Sequence, residues 1–216
     1  MTLADVHLKI GTVCAEGGRD AREITLVAVS KQQPPEAIAA ALDQGQRVFG
    51  ENRVQEAQAR WANLRPRYPD LSLHLIGHLQ SNKAEDAVAL FDVIETVDSE
   101  KLARALAAAM RTKDKFLPCF VQVNTGDEPQ KGGVSVDGLP ALLATCRDVG
   151  LNIVGLMCIP PADDVPGLHF ALLHKLARSH GLTQLSMGMS ADYLHAIAYG
   201  ATHLRLGSAV FGDRPA

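Results

Sequence analysis

Short apolar segments alternate with amphipathic segments along the whole chain, and this alternation limits the fold more than any other sequence feature. Eight segments rich in Val, Ile and Leu predict β-strands, at 24–30, 47–52, 71–77, 92–98, 117–125, 152–160, 183–189 and 203–211. Segments with helical spacing lie between them, at 34–45, 54–65, 82–90, 99–111, 137–150, 167–180 and 191–200. Repeated strand–helix units with short connections predict a parallel sheet covered by helices.

Eight such units are the number that closes a barrel, so the predicted fold is α/β, a single-domain (β/α)8 TIM barrel over residues 1–216. No long segment follows the last strand, and we expect an extra N-terminal helix at 3–16 to cover the gap left by the eighth helix. An open doubly wound sheet is the alternative. It usually carries a glycine-rich turn after its first strand, where this chain has Lys31-Gln32-Gln33-Pro34-Pro35.

Composition narrows the partners and the compartment. The formal net charge is −3, with 21 basic and 24 acidic residues, which argues against a nucleic-acid-coating protein. The apolar runs are too short for a membrane span, and the N-terminus does not resemble a secretory signal. Four widely spaced cysteines predict small buried side chains in a reducing, cytoplasmic environment, and the histidine spacing predicts no metal site.

Lys31 follows the first predicted strand, at the end where TIM barrels carry their active sites. A lysine that is partly desolvated at this place keeps some neutral amine, which is a nucleophile. The alternative is a strand-end lysine whose ammonium group extends into solvent. Position alone leaves both interpretations open.

Arg205 lies inside the last predicted strand. Side chains alternate along a strand, so Leu204 and Leu206 face the helices and Arg205 faces the barrel interior. A buried guanidinium needs acceptors for its hydrogen bonds, because it cannot lose its charge. Those acceptors would belong either to an internal ion pair or to a bound ligand.

Small and hydroxyl residues lie near the ends of the last two predicted strands, where TIM barrels commonly bind phosphate. Ser190 comes after the seventh strand, and Gly207 and Ser208 come within the eighth. Backbone N–H groups can approach an oxyanion there, and serine adds a hydroxyl donor. Asn52, at the end of the second strand, would either contact a ligand or cap the next helix.

A reactive lysine, a phosphate cradle and an inward arginine together indicate a phosphorylated carbonyl compound as ligand. Taken alone, these residues would suit a Schiff-base aldolase as well as a pyridoxal phosphate protein.

Five motifs in order resemble one family. They are AVSK ending at Lys31, FGENRVQE from Phe49, HLIGHLQSNK from His74, LSMGMSAD from Leu185 and RLGSAVFG from Arg205. The chain resembles the pyridoxal phosphate homeostasis family, formerly grouped with the alanine racemase N-terminal domain. The likeness spans about residues 26–212.

The resemblance implies a fold-type III barrel that carries pyridoxal 5′-phosphate as a Schiff base on Lys31. It implies that Arg205 faces the pyridine nitrogen and that Asn52 lies on the side of the 3′-oxygen. No residue is expected to serve as a dedicated catalytic group.

The phosphate, by the same resemblance, sits against Ser190, Gly207 and Ser208. Two positions depart from the commonest pattern of the family. Lys131 begins KGG where relatives often have KSG, and position 208 is Ser where Thr is frequent. Both changes keep small or hydroxyl side chains, and the KGG loop receives no role from the sequence.

A cationic arginine at the ring nitrogen disfavours its protonation and weakens the cofactor as an electron sink. Racemases of this fold use a second acid/base group from an additional domain and a partner subunit, for which we expect no room in this chain. The interpretation we favour is therefore a monomeric protein that stores, buffers or delivers the cofactor, with apo forms of pyridoxal phosphate enzymes as candidate recipients. The alternatives are an amino-acid racemase or lyase with Lys31 as its base, and a lysine-dependent aldolase without cofactor.

Overall fold

The computed structural model describes residues 2–212, which form nine strands and nine α-helices. The strands are β1 (Thr25–Val29), β2 (Val48–Glu51), β3 (Ser72–Leu75), β4 (Val93–Val97), β5 (Pro118–Asn124), β6 (Val134–Ser135), β7 (Asn152–Met157), β8 (Gln184–Ser186) and β9 (His203–Leu206). The helices are α1 (Leu3–Glu16), α2 (Pro35–Asp43), α3 (Val54–Trp61), α4 (Ala84–Leu90), α5 (Glu100–Lys113), α6 (Leu139–Asp148), α7 (Pro166–Ser179), α8 (Tyr193–Ala198) and α9 (Ser208–Phe211). Short 3₁₀ turns lie at Ala21–Glu23, Arg65–Arg67 and Ser81–Lys83.

Eight of these strands close into a parallel barrel. The hydrogen-bonded order is β4-β3-β2-β1-β9-β8-β7-β5, and β4 pairs with β5 to complete the ring. The first and last strands meet at the registers Leu26–Leu204 and Val27–Arg205. The predicted (β/α)8 barrel is confirmed, and the open doubly wound sheet is excluded. The domain bounds 1–216 stay a prediction, because residues 1 and 213–216 lie outside the described residues.

The N-terminal helix was predicted correctly. Thr2 and Asp5 form a reciprocal capping box at the start of α1: Thr2 Oγ1 accepts from Asp5 N, and Asp5 Oδ2 accepts from Thr2 N. The buried face of α1 packs against α8 and α9 at the join between the last and first strands.

Two segments differ from the sequence prediction. The last strand ends at Leu206, not at position 211, because Gly207 starts the single turn of α9. The polar stretch 126–138, in which the sequence predicted no strand, contains β6, which pairs with β5 at Val123–Val134.

The core divides into an apolar outer layer and a more polar interior. Leu204 and Leu206 belong to the apolar cluster of buried residues, as the strand alternation predicts. Buried polar side chains from the same strands point inward and pair with each other across the barrel. All four cysteines are buried free thiols. Within the described part of the chain, no helix is both long and apolar enough to cross a membrane.

Candidate functional site

A cavity of about 310 Å³ opens at the carboxyl ends of β1, β8 and β9. Its volume lies at the lower end of the range of small-molecule sites, about 300–1,000 Å³. Five of the six residues predicted from the sequence line it, and Val29, Gln33, Met189 and Ala191 complete its wall. The five are Lys31, Ser190, Arg205, Gly207 and Ser208.

Lys31 is half-buried in a tight turn directly after β1. Ser30 O accepts a hydrogen bond from Gln33 N at 3.1 Å, and Gln32 has a positive φ of 59°. A non-glycine residue in this left-handed region costs conformational energy, which the surrounding structure must offset. The turn brings the side chains of both Lys31 and Gln33 to the cavity.

The loops after β8 and β9 are tied to each other at the cavity. Ser190 Oγ accepts a hydrogen bond from Ala209 N at 3.2 Å. Gly188, which turns the chain after β8, has a φ of 95°, and a Cβ there would lie 2.6 Å from the Cβ of Ala196. Glycine is therefore required at position 188, and the turn it permits delivers Ser190 to the wall.

Gly207 has a different reason to lack a side chain. Its φ is −101°, which any residue adopts, and a Cβ would meet only Val29, at 3.8 Å from its Cβ and 3.9 Å from its O. No protein atom forbids a methyl group at this position. Since Val29 and Gly207 both line the cavity, the missing Cβ leaves space on the cavity wall where a ligand can approach the backbone.

Arg205 is buried and firmly held. Its Nη1 donates to Ser186 Oγ at 2.6 Å, and its Nη2 donates to the carbonyl oxygen of Cys158 at 2.8 Å. Ser186 Oγ in turn lies 2.6 Å from Glu95 Oε2, and Glu95 Oε1 lies 2.6 Å from His74 Nδ1. Acceptors inside the protein therefore exist, although not as a direct ion pair, because a serine hydroxyl connects the arginine to a buried carboxylate. A ligand contact by Arg205 stays a prediction.

Burial and the charges of this network shift the pKa values of Glu95, which belongs to it, and of His203, which lies beside it. Burial would raise the pKa of the Glu95 carboxyl, but the hydrogen bond and charge of His74, with the charges of Arg205 and His203, lower it to about 2. Burial lowers the pKa of His203 to about 4. Glu95 is therefore an ion at neutral pH, and the His203 imidazole is uncharged.

Asn52 does not line the same cavity. It lies on the wall of a neighbouring one, of about 390 Å³, together with Gly77 and His78. The cap of α3 is Arg53, so Asn52 does not cap that helix either. A Cβ on Gly77 would come within 2.3 Å of Asn52 O, which shows how closely the two loops pack. A cofactor contact by Asn52 stays a prediction.

A larger cavity, of about 630 Å³, adjoins the candidate site through Met189 and Ala191. Prolines, Val165 and Tyr199 give it a largely apolar wall, and it contains none of the six predicted residues. We take the smaller cavity as the functional site, because that one combines an amine, a buried cation and hydroxyl groups.

The KGG loop, to which the sequence assigned no role, is held by hydrogen bonds and an ion pair at the carboxyl ends of β5 and β7. Lys131 Nζ lies 2.6 Å from Glu128 Oε2 and donates to Pro160 O at 3.2 Å. Gln122 Nε2, from β5, donates to Gly132 O at 3.0 Å. These contacts tie the loop to the ends of β5 and β7.

Sequence reasoning missed the residues behind Arg205. Glu95 and His74 lie in β4 and β3 and are almost fully buried, and Ser186 lies in β8. The available signal was a polar residue within a short apolar strand, as in VIETV and SLHL. No group of three or more His, Cys, Asp or Glu side chains suited to a metal ion occurs among residues 2–212.

The profile of the family described as "Alanine racemase, N-terminal domain" matches residues 5–215. The pyridoxal phosphate homeostasis protein of Escherichia coli (strain K12) is 37% identical, over 98% of this chain and 95% of that protein. The protein of the same name from Schizosaccharomyces pombe is 39% identical, over 90% of this chain and 86% of its own length.

Solved structures of similar sequence share the fold of this chain. PipY of Synechococcus elongatus with PLP bound is 36% identical and superimposes with a TM-score of 0.81, covering 94% of this chain and 100% of that one. Its form without PLP has a TM-score of 0.83. Alanine racemase of Clostridium difficile, at 14% identity and a TM-score of 0.71, shares the fold over 58% of its length.

Proposed function

The chain belongs to the pyridoxal phosphate homeostasis proteins of the alanine racemase N-terminal-domain family, and from this membership we propose that it binds pyridoxal 5′-phosphate covalently through Lys31 and buffers or delivers it. The observation that carries the proposal is the convergence of the five predicted residues on one cavity. They come from opposite ends of the sequence, and a likeness in fold alone would not require their side chain types. PipY, the relative whose structure contains PLP, supports the choice of cofactor.

The residues of the cavity fit the cofactor group by group. Ser190 and Ser208 supply hydroxyls, and the bare backbone at Gly207 leaves room for phosphate oxygens. Arg205 would face the ring nitrogen. When bound, pyridoxal phosphate would supply an aldehyde that condenses with amines, and Lys31 is the residue whose amine would hold it in this cavity.

Arg205 favours a holding role over turnover. Its guanidinium is permanently charged and fixed by Ser186 and Cys158, so it opposes a proton on the ring nitrogen that it would face. Without that proton the ring withdraws electrons weakly. We therefore propose that the covalent bond on Lys31 stores the cofactor, and that release returns it to solution or to another protein.

The first experiment tests the covalent bond. Purified protein is incubated with pyridoxal phosphate, reduced with borohydride and digested, and the modified peptide is identified by mass spectrometry. The adduct is expected on Lys31 and absent in Lys31→Ala. Lys175→Ala, at an exposed lysine of α7, is the matched control and should bind like the unaltered protein. No adduct in the unaltered protein, or an adduct mainly on another lysine, would refute the proposal.

We further propose that the protein is a cytoplasmic monomer that can load apo forms of pyridoxal phosphate enzymes. The loaded protein should activate an apo-enzyme at a rate that differs from that of an equal amount of free cofactor. Sedimentation should give the mass of one chain. Sustained turnover of an L-amino acid that disappears in Lys31→Ala would instead support the racemase or lyase alternative.

A further inference from the structure

A chain of polar side chains crosses the barrel beneath the candidate site. It runs from Arg205 on β9 through Ser186 on β8 and Glu95 on β4 to His74 on β3. Each of the three links measures 2.6 Å. Glu95 and Ser186 are completely buried, and His74 and Arg205 nearly so. Only Arg205 of these four lines the cavity.

The direction of the hydrogen bonds that join Arg205, Ser186 and Glu95 can be assigned. A guanidinium donates only, and a carboxylate accepts only. Ser186 therefore accepts from Arg205 and gives its one hydroxyl hydrogen to Glu95. Because both neighbours impose the same direction, the lone pairs of Ser186 Oγ stay turned toward the arginine.

This arrangement restrains both the charge and the orientation of Arg205. A buried cation needs a compensating anion, which Glu95 provides through the hydroxyl without touching the guanidinium. The carbonyl of Cys158 holds the second nitrogen, Nη2, at 2.8 Å. Two fixed acceptors define the plane of a guanidinium, so its edge toward the cavity is set before any ligand arrives.

We propose that Glu95 and Ser186 are positioning residues, which hold Arg205 so that it recognises an unprotonated ring nitrogen in the ligand. The inference rests on the proposed function, since it concerns the same cavity and cofactor. On this proposal, two buried residues that do not line the cavity make the protein select a ligand whose pyridine nitrogen accepts a hydrogen bond.

The test compares pyridoxal phosphate with an analogue in which a C–H group replaces the ring nitrogen. Equilibrium affinities of both are measured for the unaltered protein, Ser186→Ala and Glu95→Gln. The unaltered protein should prefer the natural cofactor. Ser186→Ala should lose roughly tenfold in affinity for pyridoxal phosphate, which is the size of one charge-assisted hydrogen bond, and little for the analogue.

Glu95→Gln keeps the shape and an acceptor for Ser186 but removes the charge, and it should reduce the same preference by a smaller factor. Thr96→Val is the control: Thr96 is a buried hydroxyl beside Glu95 that bonds to Gly77 O, and its loss should leave the preference unchanged. A general structural disturbance would weaken both ligands equally, and an equal loss for both in Ser186→Ala overturns the inference.

A measurement on the unaltered protein avoids any dependence on variant folding. A crystal structure with pyridoxal phosphate should show Arg205 within hydrogen-bond distance of the ring nitrogen while it still contacts Ser186. An arginine that leaves Ser186 when the cofactor binds overturns the inference. The proposed function fails separately, if the unaltered protein forms no adduct on Lys31.

Discussion

Replacement of Gly207 by alanine should separate the stability of the barrel from its affinity for the cofactor. The added methyl group would lie 3.8 Å from Val29 Cβ, an ordinary contact, and the φ of −101° suits alanine. Less backbone freedom in the unfolded chain contributes about 0.4–1 kcal/mol of stability. Loss of glycine at the N-cap of α9 costs a comparable amount, about 0.5–1 kcal/mol, because alanine is the poorer N-cap residue. The net change in the free energy of unfolding should stay within about 0.5 kcal/mol.

Ligand binding should respond much more strongly to Gly207→Ala. The methyl group would occupy the part of the cavity wall where we propose that a phosphate oxygen approaches the backbone. Loss of one hydrogen bond to a charged group costs about 1.5–3 kcal/mol, which corresponds to roughly a 10- to 100-fold weaker affinity for pyridoxal phosphate.

Thermal unfolding of the cofactor-free protein measures the change in stability, and equilibrium titration with pyridoxal phosphate measures the change in affinity. A change in Tm of less than about 2 °C is expected for a chain of this length. Gly11→Ala is the control for binding, since nothing lies within 4 Å of a Cβ there and Gly11 does not line the cavity; at its place inside α1 it should raise the stability and leave the affinity unchanged. Affinity equal to that of the unaltered protein in Gly207→Ala would show that the backbone at this position is no part of the phosphate site.

Three further predictions concern stability. Because burial lowers the pKa of His203 to about 4, the unfolded chain binds more protons than the folded chain between about pH 6.5 and 4. The free energy of unfolding should therefore fall in this window as the pH falls, by up to about 1.4 kcal/mol per pH unit. His203→Gln should make the free energy of unfolding in urea less dependent on pH there, and an unchanged dependence would contradict the assignment. Arg60→Ala removes the 2.7 Å ion pair with the fully buried Glu51 and should lower the free energy of unfolding by about 3 kcal/mol, measured in urea; a loss below about 1 kcal/mol would mean that solvent reaches the carboxylate. Gly188→Ala forces a left-handed residue against Ala196 at 2.6 Å and should cost at least about 1–3 kcal/mol, visible as a lower Tm, whereas a neutral effect would require the turn to shift without strain.

The sequence predicted the barrel because its evidence is repeated and local. Each strand–helix unit carries its own apolar pattern, so a strand end misplaced by several residues, as at Gly207, does not alter the count. The extra strand β6 was missed for the opposite reason. Two residues carry no periodic signal, and the pairing of Val134 with Val123 depends on how a polar loop folds back.

The candidate site was predictable to the extent that it follows from strand direction. Lys31, Ser190 and Ser208 follow strands whose carboxyl ends must lie on one face of a parallel barrel, so their proximity was implied once the barrel was proposed. The partners of Arg205 were not implied. Alternation predicts that Glu95 and Arg205 both face inward, but it does not determine which side chains meet across the interior or that Ser186 stands between them.

The location of the site links binding to completion of the barrel. Lys31 follows β1 near the start of the chain, and Arg205 lies in β9 near its end; the two strands pair directly at Val27–Arg205. Contacts between such distant segments form only when the whole ring closes, at the full cost of ordering the chain between them. If the proposed ligand is held by Lys31 after β1 and by the loops after β8 and β9, it spans the place where the ring closes. Its binding free energy would then add to the stability of the join between the first and last strands, which α1 also covers from outside.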